Sequence, residues 1–191
     1  MDTRAFRLPW PDGFRFFEVD TPELFALKEA RLHSAGVRAG CDRVVVETDL
    51  TSKHWVGSLV RRGFGRNRPT VWLAEGLFLY LNLVDVKQIL RQAASISSEG
   101  SRFGAEIISK EFLQMSSNQW ALQRRKDRGT PWVFGTDNPE ELFGSCGWKV
   151  VSKISALEAA KALRRIPMTN PSSSRRSRPG ALRGPFFVSA T

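Results

Sequence analysis

Phe14-Arg15-Phe16-Phe17-Glu18-Val19-Asp20-Thr21-Pro22-Glu23 is the stretch that decides the fold class. Phe14 to Val19 is an aromatic-rich, apolar run of strand length. Thr21 then supplies an N-cap, Pro22 a residue suited to the first helical position, and Glu23 an acidic first turn. A strand that passes through a single residue, Asp20, into a capped helix is the opening of a β-α unit, and the helix is expected to run to about His33. Outward from there the alternation repeats. Arg43 to Glu47 is a short Val-rich strand, and Ser52 to Arg62 reads as a helix ended by Gly63. Thr70 to Ala74 is a buried strand by composition, Asp85 to Ile96 is helical, and Ser101 to Ile108 is a strand following Glu99-Gly100. Lys110 to Arg125 has helical period with high polarity, as a cap over a site would. Asp137-Asn138-Pro139-Glu140-Glu141 opens a short helix ending near Gly147, Trp148 to Ile154 returns as a strand, and Ala156 to Arg165 is a helix by propensity. Pro185 to Ala190 closes the chain as an apolar strand. Strand-length runs alternating with helical segments predict an α/β domain with a largely parallel sheet. No internal repeat interrupts the pattern.

At 191 residues, with 41% apolar and 10% aromatic residues, the chain has the composition of one globular domain. Its net charge of +10 would ordinarily suggest an anionic partner. Seven basic residues and no acidic one fall between Lys161 and Thr191, however, so the preceding 160 residues carry only +3. The basicity is mainly a property of the tail, where residues 167–184 are rich in Ser, Arg, Pro and Gly and read as a flexible basic loop within the domain. Arg175, Arg176, Arg178 and Arg183 there have few aromatics beside them for stacking bases, so no specific nucleic-acid partner is expected. Cys41 and Cys146 are too few for a disulfide scaffold, and no Cys/His cluster has zinc-ligand spacing, so no metal is expected. No apolar signal core or membrane span is evident, since the most apolar stretch, Val71 to Val84, is short and contains Glu75. The expectation is a cytoplasmic protein with no membrane partner.

A nucleotide site on such a sheet needs a glycine-rich turn, an acidic residue for the ribose hydroxyls and a slot for the adenine, all at the carboxyl ends of strands. Asp20 ends the first strand and could accept two hydroxyl hydrogen bonds; taken alone, an acidic residue before a helix is more often a cap or a solvated charge. Asp49-Leu50 follows the next strand, 29 residues after Asp20. That pair offers an acceptor for an adenine amino group and an apolar wall for its ring, or else Asp49 simply initiates the turn into the following helix. Glu75 lies inside the apolar run Trp72-Leu73-Ala74-Glu75-Gly76-Leu77-Phe78-Leu79-Tyr80-Leu81, where burying it unpaired would be expensive, so it needs a partner. His33 and His54 have no Ser, Cys or Asp arrangement around them and read as surface residues. Arg61-Arg62-Gly63-Phe64-Gly65-Arg66 reads as a helix end and turn rather than a phosphate cradle or an RNA-binding run. The six tryptophans read as core and cap residues, with Trp132 a wall of a pocket.

These segments together resemble the leucine carboxyl methyltransferase-like family of S-adenosylmethionine enzymes. Asp2-Thr3-Arg4-Ala5-Phe6-Arg7-Leu8 is similar to the family's Gly-x-Asp-Thr-Arg-Ala-x-Arg-Leu loop. Phe17-Glu18-Val19-Asp20-Thr21-Pro22 matches its Phe-Glu-x-Asp-x-Pro, Asp49-Leu50 its Asp-Leu pair, and Trp72 to Leu81 its Trp-x-Ala-Glu-Gly-x-x-x-Tyr-Leu. Phe186 to Ala190 is similar to the family's closing strand. The resemblance implies a Rossmann-like class I methyltransferase sheet with helices on both faces, S-adenosylmethionine as cofactor, and methyl transfer to a carboxylate or hydroxyl oxygen of a small-molecule acceptor. It implies cofactor contacts from Asp20, Asp49 and Leu50, and places Glu75 near the positively charged end of the cofactor. No residue is singled out as catalytic. In relatives a strand and a glycine-rich turn come immediately before the Asp-Thr-Arg, so residues 1–191 are expected to be a single, N-terminally truncated methyltransferase domain. The first central strand would be missing from between the strands at Phe14 to Val19 and Thr70 to Ala74. The alternative is a non-catalytic truncated relative acting at most as a binding module.

Overall fold

The structure, a computed structural model, describes residues 1–164 and 185–191. The basic loop expected at 167–184, like Arg165 at the end of the expected last helix, lies outside the described residues. The chain divides into two compact units, Met1–Gly65 and Arg66–Thr191.

In the first unit, α1 (Arg4–Arg7) is followed by β1 (Arg15–Asp20), α2 (Pro22–Ser34), β2 (Asp42–Glu47) and α3 (Trp55–Arg61). The opening stretch behaves as its residues dictate: the Thr21 side chain accepts from the Leu24 N–H, and Pro22 occupies the first turn of α2. β1 and β2 are parallel, in register from Arg15 opposite Asp42 to Asp20 opposite Glu47, so the two strands end level with each other. Neighbouring residues of a strand face opposite ways. On one face of β1 the Glu18 carboxylate meets Lys28 of α2. On the other, the Phe17 ring packs edge-on against Phe64, just beyond α3, with centroids 5.6 Å apart. Both faces of this parallel pair are therefore covered, and Phe25, Val46, Trp55 and Leu59 are buried around it. The short α1 has no counterpart in the sequence reading. It is anchored by the Gly40 N–H donating to the Ala5 carbonyl at 2.8 Å and by the Trp10 indole N–H donating to the Arg4 carbonyl at 2.9 Å.

The second unit contains β3 (Val71–Ala74), a 3-10 turn (Phe78–Tyr80), α4 (Leu83–Ser95), β4 (Arg102–Ile108), α5 (Lys110–Gln114) and α6 (Ser116–Asp127). α7 (Pro139–Gly144), β5 (Val150–Ser155), α8 (Ala156–Ala162) and β6 (Pro185–Ala190) complete it. The strand order is β3-β4-β6-β5, with β3 and β4 parallel and β6 antiparallel to both of its neighbours. Phe103 of β4 is the hub of the core: its ring meets Phe143 of α7 at 5.8 Å and Trp148 at 5.3 Å, both edge-on. The Trp148 indole N–H in turn donates to the Leu90 carbonyl of α4 at 2.9 Å. The segment expected as one helix over Lys110 to Arg125 is two, because Met115 is extended (φ −63°, ψ 128°) and interrupts the helical hydrogen bonding. Likewise the helix expected from Ser52 starts only at Trp55, after the turn that Asp49 organises. Among the described residues no helix is long and apolar enough to cross a membrane.

β1 pairs only with β2, and β3 only with β4, among the described residues. Each of these strands thus presents an open edge, and on β3 the apolar side chains of Val71 and Leu73 are 66% and 51% exposed. Exposed apolar edge strands template association with other chains. Residues 1–191 are expected to associate as concentration rises in sedimentation velocity, and Val71→Lys to reduce that association without lowering the thermal midpoint. A monomer at all concentrations would show that the edge is protected.

Candidate site at the carboxyl ends of the parallel strands

Asp20 is the last residue of β1 and is half-buried. One carboxylate oxygen, Oδ1, accepts from the Thr21 N–H at 2.8 Å, and the Asp20 carbonyl accepts from the Thr48 N–H at 2.8 Å, which ties the end of β1 to the end of β2. Oδ2 of Asp20 has no partner among the described residues. Asp49 lies two residues past the end of β2 and is exposed. Its Oδ1 accepts from the Thr51 N–H and hydroxyl, each at 2.8 Å, and its Oδ2 stands 2.9 Å from the same hydroxyl. The turn-initiating role of Asp49 is thus realised. Leu50, half-buried, sits within that turn. Asp20, Asp49 and Leu50 are brought together at one end of one parallel pair.

The geometry of this end rests on a buried ion cluster on the face of β1 toward α2. Glu18, 7% exposed, receives the Lys28 ammonium, 4% exposed, at 2.7 Å and the Arg43 guanidinium at 2.6 Å, both on Oε2. Arg43 also donates to Glu29 at 2.6 Å and stands over the Phe6 ring at 5.1 Å. Burial alone would lower the Arg43 pKa, but its hydrogen bonds to Glu18 and Glu29 outweigh that and raise it. The cluster binds β1, α2 and β2 to one another through charges that have left water, so each charge depends on its neighbours. In the sequence Glu18 is marked only as part of the strand end and of the Phe-Glu-x-Asp-x-Pro match. The signal available was its place beside Phe16, Phe17 and Val19, where a lone carboxylate would be costly. Nearby, Asp2 and Arg4 of the Asp-Thr-Arg segment lock each other: the Asp2 carboxylate accepts from the Arg4 backbone N–H at 2.8 Å and from its Nε at 3.0 Å. Burial works to raise the Asp2 pKa, and the bonds from Arg4 bring it below the ordinary value.

Glu75 belongs to the second unit, as the first residue beyond β3. The expectation that it is buried within an apolar stretch is corrected here: Glu75 is exposed, because β3 ends at Ala74 and the chain turns outward at Gly76. Gly76 has φ +60°, a left-handed conformation that a side chain disfavours. Its N–H donates to Oε2 of Glu106 at 2.9 Å. Glu106, on β4, was missed in the sequence reading, although it shares the feature that singled out Glu75, a carboxylate inside an apolar run. The pairing across 30 residues becomes visible only once β3 and β4 lie side by side. Beyond the turn, the buried Phe78 and Leu79 hold the 3-10 segment against the body of the unit.

Trp55 and Trp148 are buried core residues, whereas Trp120 on α6 is 69% exposed. His33 and His54 are exposed, as read from the sequence. Both cysteines are free. Among the described residues no group of three or more His, Cys, Asp or Glu side chains is placed to hold a metal ion.

Parallel strands joined by crossover helices, with an antiparallel closing strand, make this a Rossmann-like α/β chain. The solved structures that it resembles have that fold. It superposes on a DUF574-family protein from Streptomyces avermitilis with a TM-score of 0.62 at 16% identity, over 92% of this chain and 64% of that one. It also superposes on a structure from Thermobifida fusca, provisionally titled a methyltransferase, with a TM-score of 0.59 at 18% identity, over 92% and 62%. The family model described as leucine carboxyl methyltransferase matches residues 1–94. A Saccharopolyspora erythraea protein, provisionally named an S-adenosyl-L-methionine-dependent methyltransferase, is 36% identical over 157 residues, covering 78% of this chain and 53% of its own length. A Parafrankia protein with the same provisional name is 34% identical over 175 residues, covering 90% and 55%. The chain is thus similar to leucine carboxyl methyltransferases over residues 1–94 and to proteins named as S-adenosyl-L-methionine-dependent methyltransferases over most of its length. It spans about half the length of the curated relatives it matches.

Proposed function

We propose that this chain carries one part of the cofactor site of an S-adenosylmethionine-dependent O-methyltransferase acting on a small molecule with a carboxylate or hydroxyl acceptor. The observation that carries the reading is the level ending of β1 and β2, with Asp20 the last residue of one strand and Asp49 two residues past the end of the other, at the carboxyl end of one parallel pair. Ligands of open α/β sheets bind at that end. Asp20 fits a ribose diol: Oδ1 is held by the Thr21 N–H, which fixes the plane of the carboxylate, and Oδ2 is left to accept a hydroxyl. Asp49 and Leu50 would flank the adenine. S-adenosylmethionine, when bound, supplies an electrophilic methyl group on a sulfonium. The chain's own task is then to align the acceptor oxygen with that methyl and exclude water, which needs no protein nucleophile.

Calorimetric titration tests the reading. Residues 1–191 are expected to bind S-adenosylmethionine weakly or undetectably. Placing before Asp2 the strand and glycine-rich turn that precede Asp-Thr-Arg in relatives should bring binding into the measurable range. In that extended chain Asp20→Ala removes a charge-assisted acceptor worth about 1.5–3 kcal/mol, a loss of roughly 10- to 150-fold in affinity. Unchanged affinity in both Asp20→Ala and Asp49→Ala would sink the site assignment.

A further inference from the structure

A cation stacked on an indole stands at the carboxyl edge of the second unit. Four hydrogen bonds place it there. The Val133 and Phe134 N–H groups both donate to the Leu79 carbonyl, at 2.8 and 3.3 Å, and the Thr136 N–H donates to the Ile108 carbonyl at 2.9 Å. The Lys110 N–H donates to Oδ1 of Asp137 at 2.9 Å. Leu79 follows the Glu75-Gly76 turn, and Ile108 and Lys110 bracket the end of β4. The segment 132–137 is therefore pinned along the same end of the β3-β4 pair as Glu75 and Glu106. Trp132 opens this segment, and the Arg125 guanidinium of α6 lies 3.8 Å from the centre of its ring. Phe112 flanks the indole, with centroids 6.3 Å apart.

The donors of this pair are unspent. Arg125 is half-buried and has no carboxylate partner among the described residues, unlike Arg15 and Arg43, which are paired at 2.8 and 2.6 Å. The Trp132 Nε1 is enclosed and has no hydrogen-bond partner among the described residues. Stacking fixes the plane of a guanidinium while leaving its N–H groups at the rim, the geometry that suits a planar, two-oxygen anion. The neighbouring pair on α6, Arg124 over Trp120 at 4.8 Å, lacks that setting, because Trp120 stands out in solvent. We propose that Arg125, held against Trp132, is the specificity-determining contact for an acceptor bearing a planar anionic group, such as an aromatic carboxylate. This deepens the methyltransferase reading and rests on it for the word acceptor; the binding site itself is a property of the second unit.

The test is fluorine NMR of the full chain carrying 5-fluorotryptophan, with the Trp132 resonance assigned by Trp132→Phe, during titration with benzoate and with its neutral isostere benzamide. Benzoate should shift the Trp132 resonance saturably and benzamide should not. Arg125→Gln should weaken the benzoate effect by about 10-fold or more, the loss of one charge-assisted contact. Arg125→Lys should fall between, since it keeps the charge and loses the planar fork. Equal shifts with benzamide, an unchanged response in Arg125→Gln, movement of Trp120 in place of Trp132, or no shift up to about 50 mM benzoate, beyond the millimolar range of weak ligands, would each overturn the proposal. The readout does not involve S-adenosylmethionine, so its failure is distinguishable from failure of the cofactor titration.

Discussion

Glu18→Ala is expected to destabilise the chain by about 3–5 kcal/mol, the cost of leaving a buried charge without its counter-ion. The substitution removes the carboxylate from a site where Lys28 is almost fully enclosed, and the ammonium has no other ion pair among the described residues to turn to. Arg43 suffers less, because Glu29 still accepts from it at 2.6 Å. Urea unfolding followed by tryptophan fluorescence measures the loss, and a control comes from changing both partners. Glu18→Gln with Lys28→Met removes both charges and keeps the volume, so the double variant should be more stable than either single one, a coupling that neighbouring residues show and distant ones do not. If Glu18→Ala costs less than about 1 kcal/mol, the range of exposed pairs, the cluster is solvated and its role in holding the end of β1 is misjudged.

Gly135→Val is expected to detach the 133–136 segment from the end of β4. A Cβ at Gly135 would stand 2.9 Å from the Ile108 carbonyl oxygen and 3.0 Å from that of Ser109, and both are backbone atoms that cannot rotate away. Overpacking of this kind costs about 1–3 kcal/mol through displaced backbone, and a branched side chain belongs at the upper end. The displaced bond is the one from the Thr136 N–H to Ile108, so hydrogen exchange at Thr136 should accelerate along with a fall in thermal midpoint. Gly135→Ala should give the same signature with a smaller fall. Full protection of Thr136 in the valine variant would mean that the segment and strand do not approach as closely as described. Because Trp132 leads into this segment, the valine variant should also lose the benzoate response while retaining Arg125.

The candidate site was partly legible before any coordinates. Asp20 and Asp49 are short-range features: each sits where a strand-length run meets a capped or turn-initiated helix, and local sequence marks such places. Glu75 stood out for a valid reason, a carboxylate in an apolar run, but the inference to burial failed because β3 stops one residue earlier. Where a strand ends is set by its ladder, here four residues paired with β4, and not by the hydropathy of the run that contains it. Glu106 carried the same local signal as Glu75 and acquired its role only through its hydrogen bond to Gly76.

The sequence by itself determined the order and kind of the main elements. Period, caps and turn residues lie within a few positions of one another, and the α/β alternation, the capped α2 and the closing strand at Pro185–Ala190 follow from them. It also determined where the acidic residues fall along that order. Tertiary structure alone decided which strands pair and in which sense, that β6 lies antiparallel between β4 and β5, and that, among the described residues, the strands form one sheet of two and another of four. It alone decided that Glu18 meets two cations and that Arg125 rests on Trp132. These are contacts between groups far apart in the chain, made when side chains leave water, and their energies depend on distance, enclosure and the partners already present, none of which is a property of a residue and its neighbours in sequence.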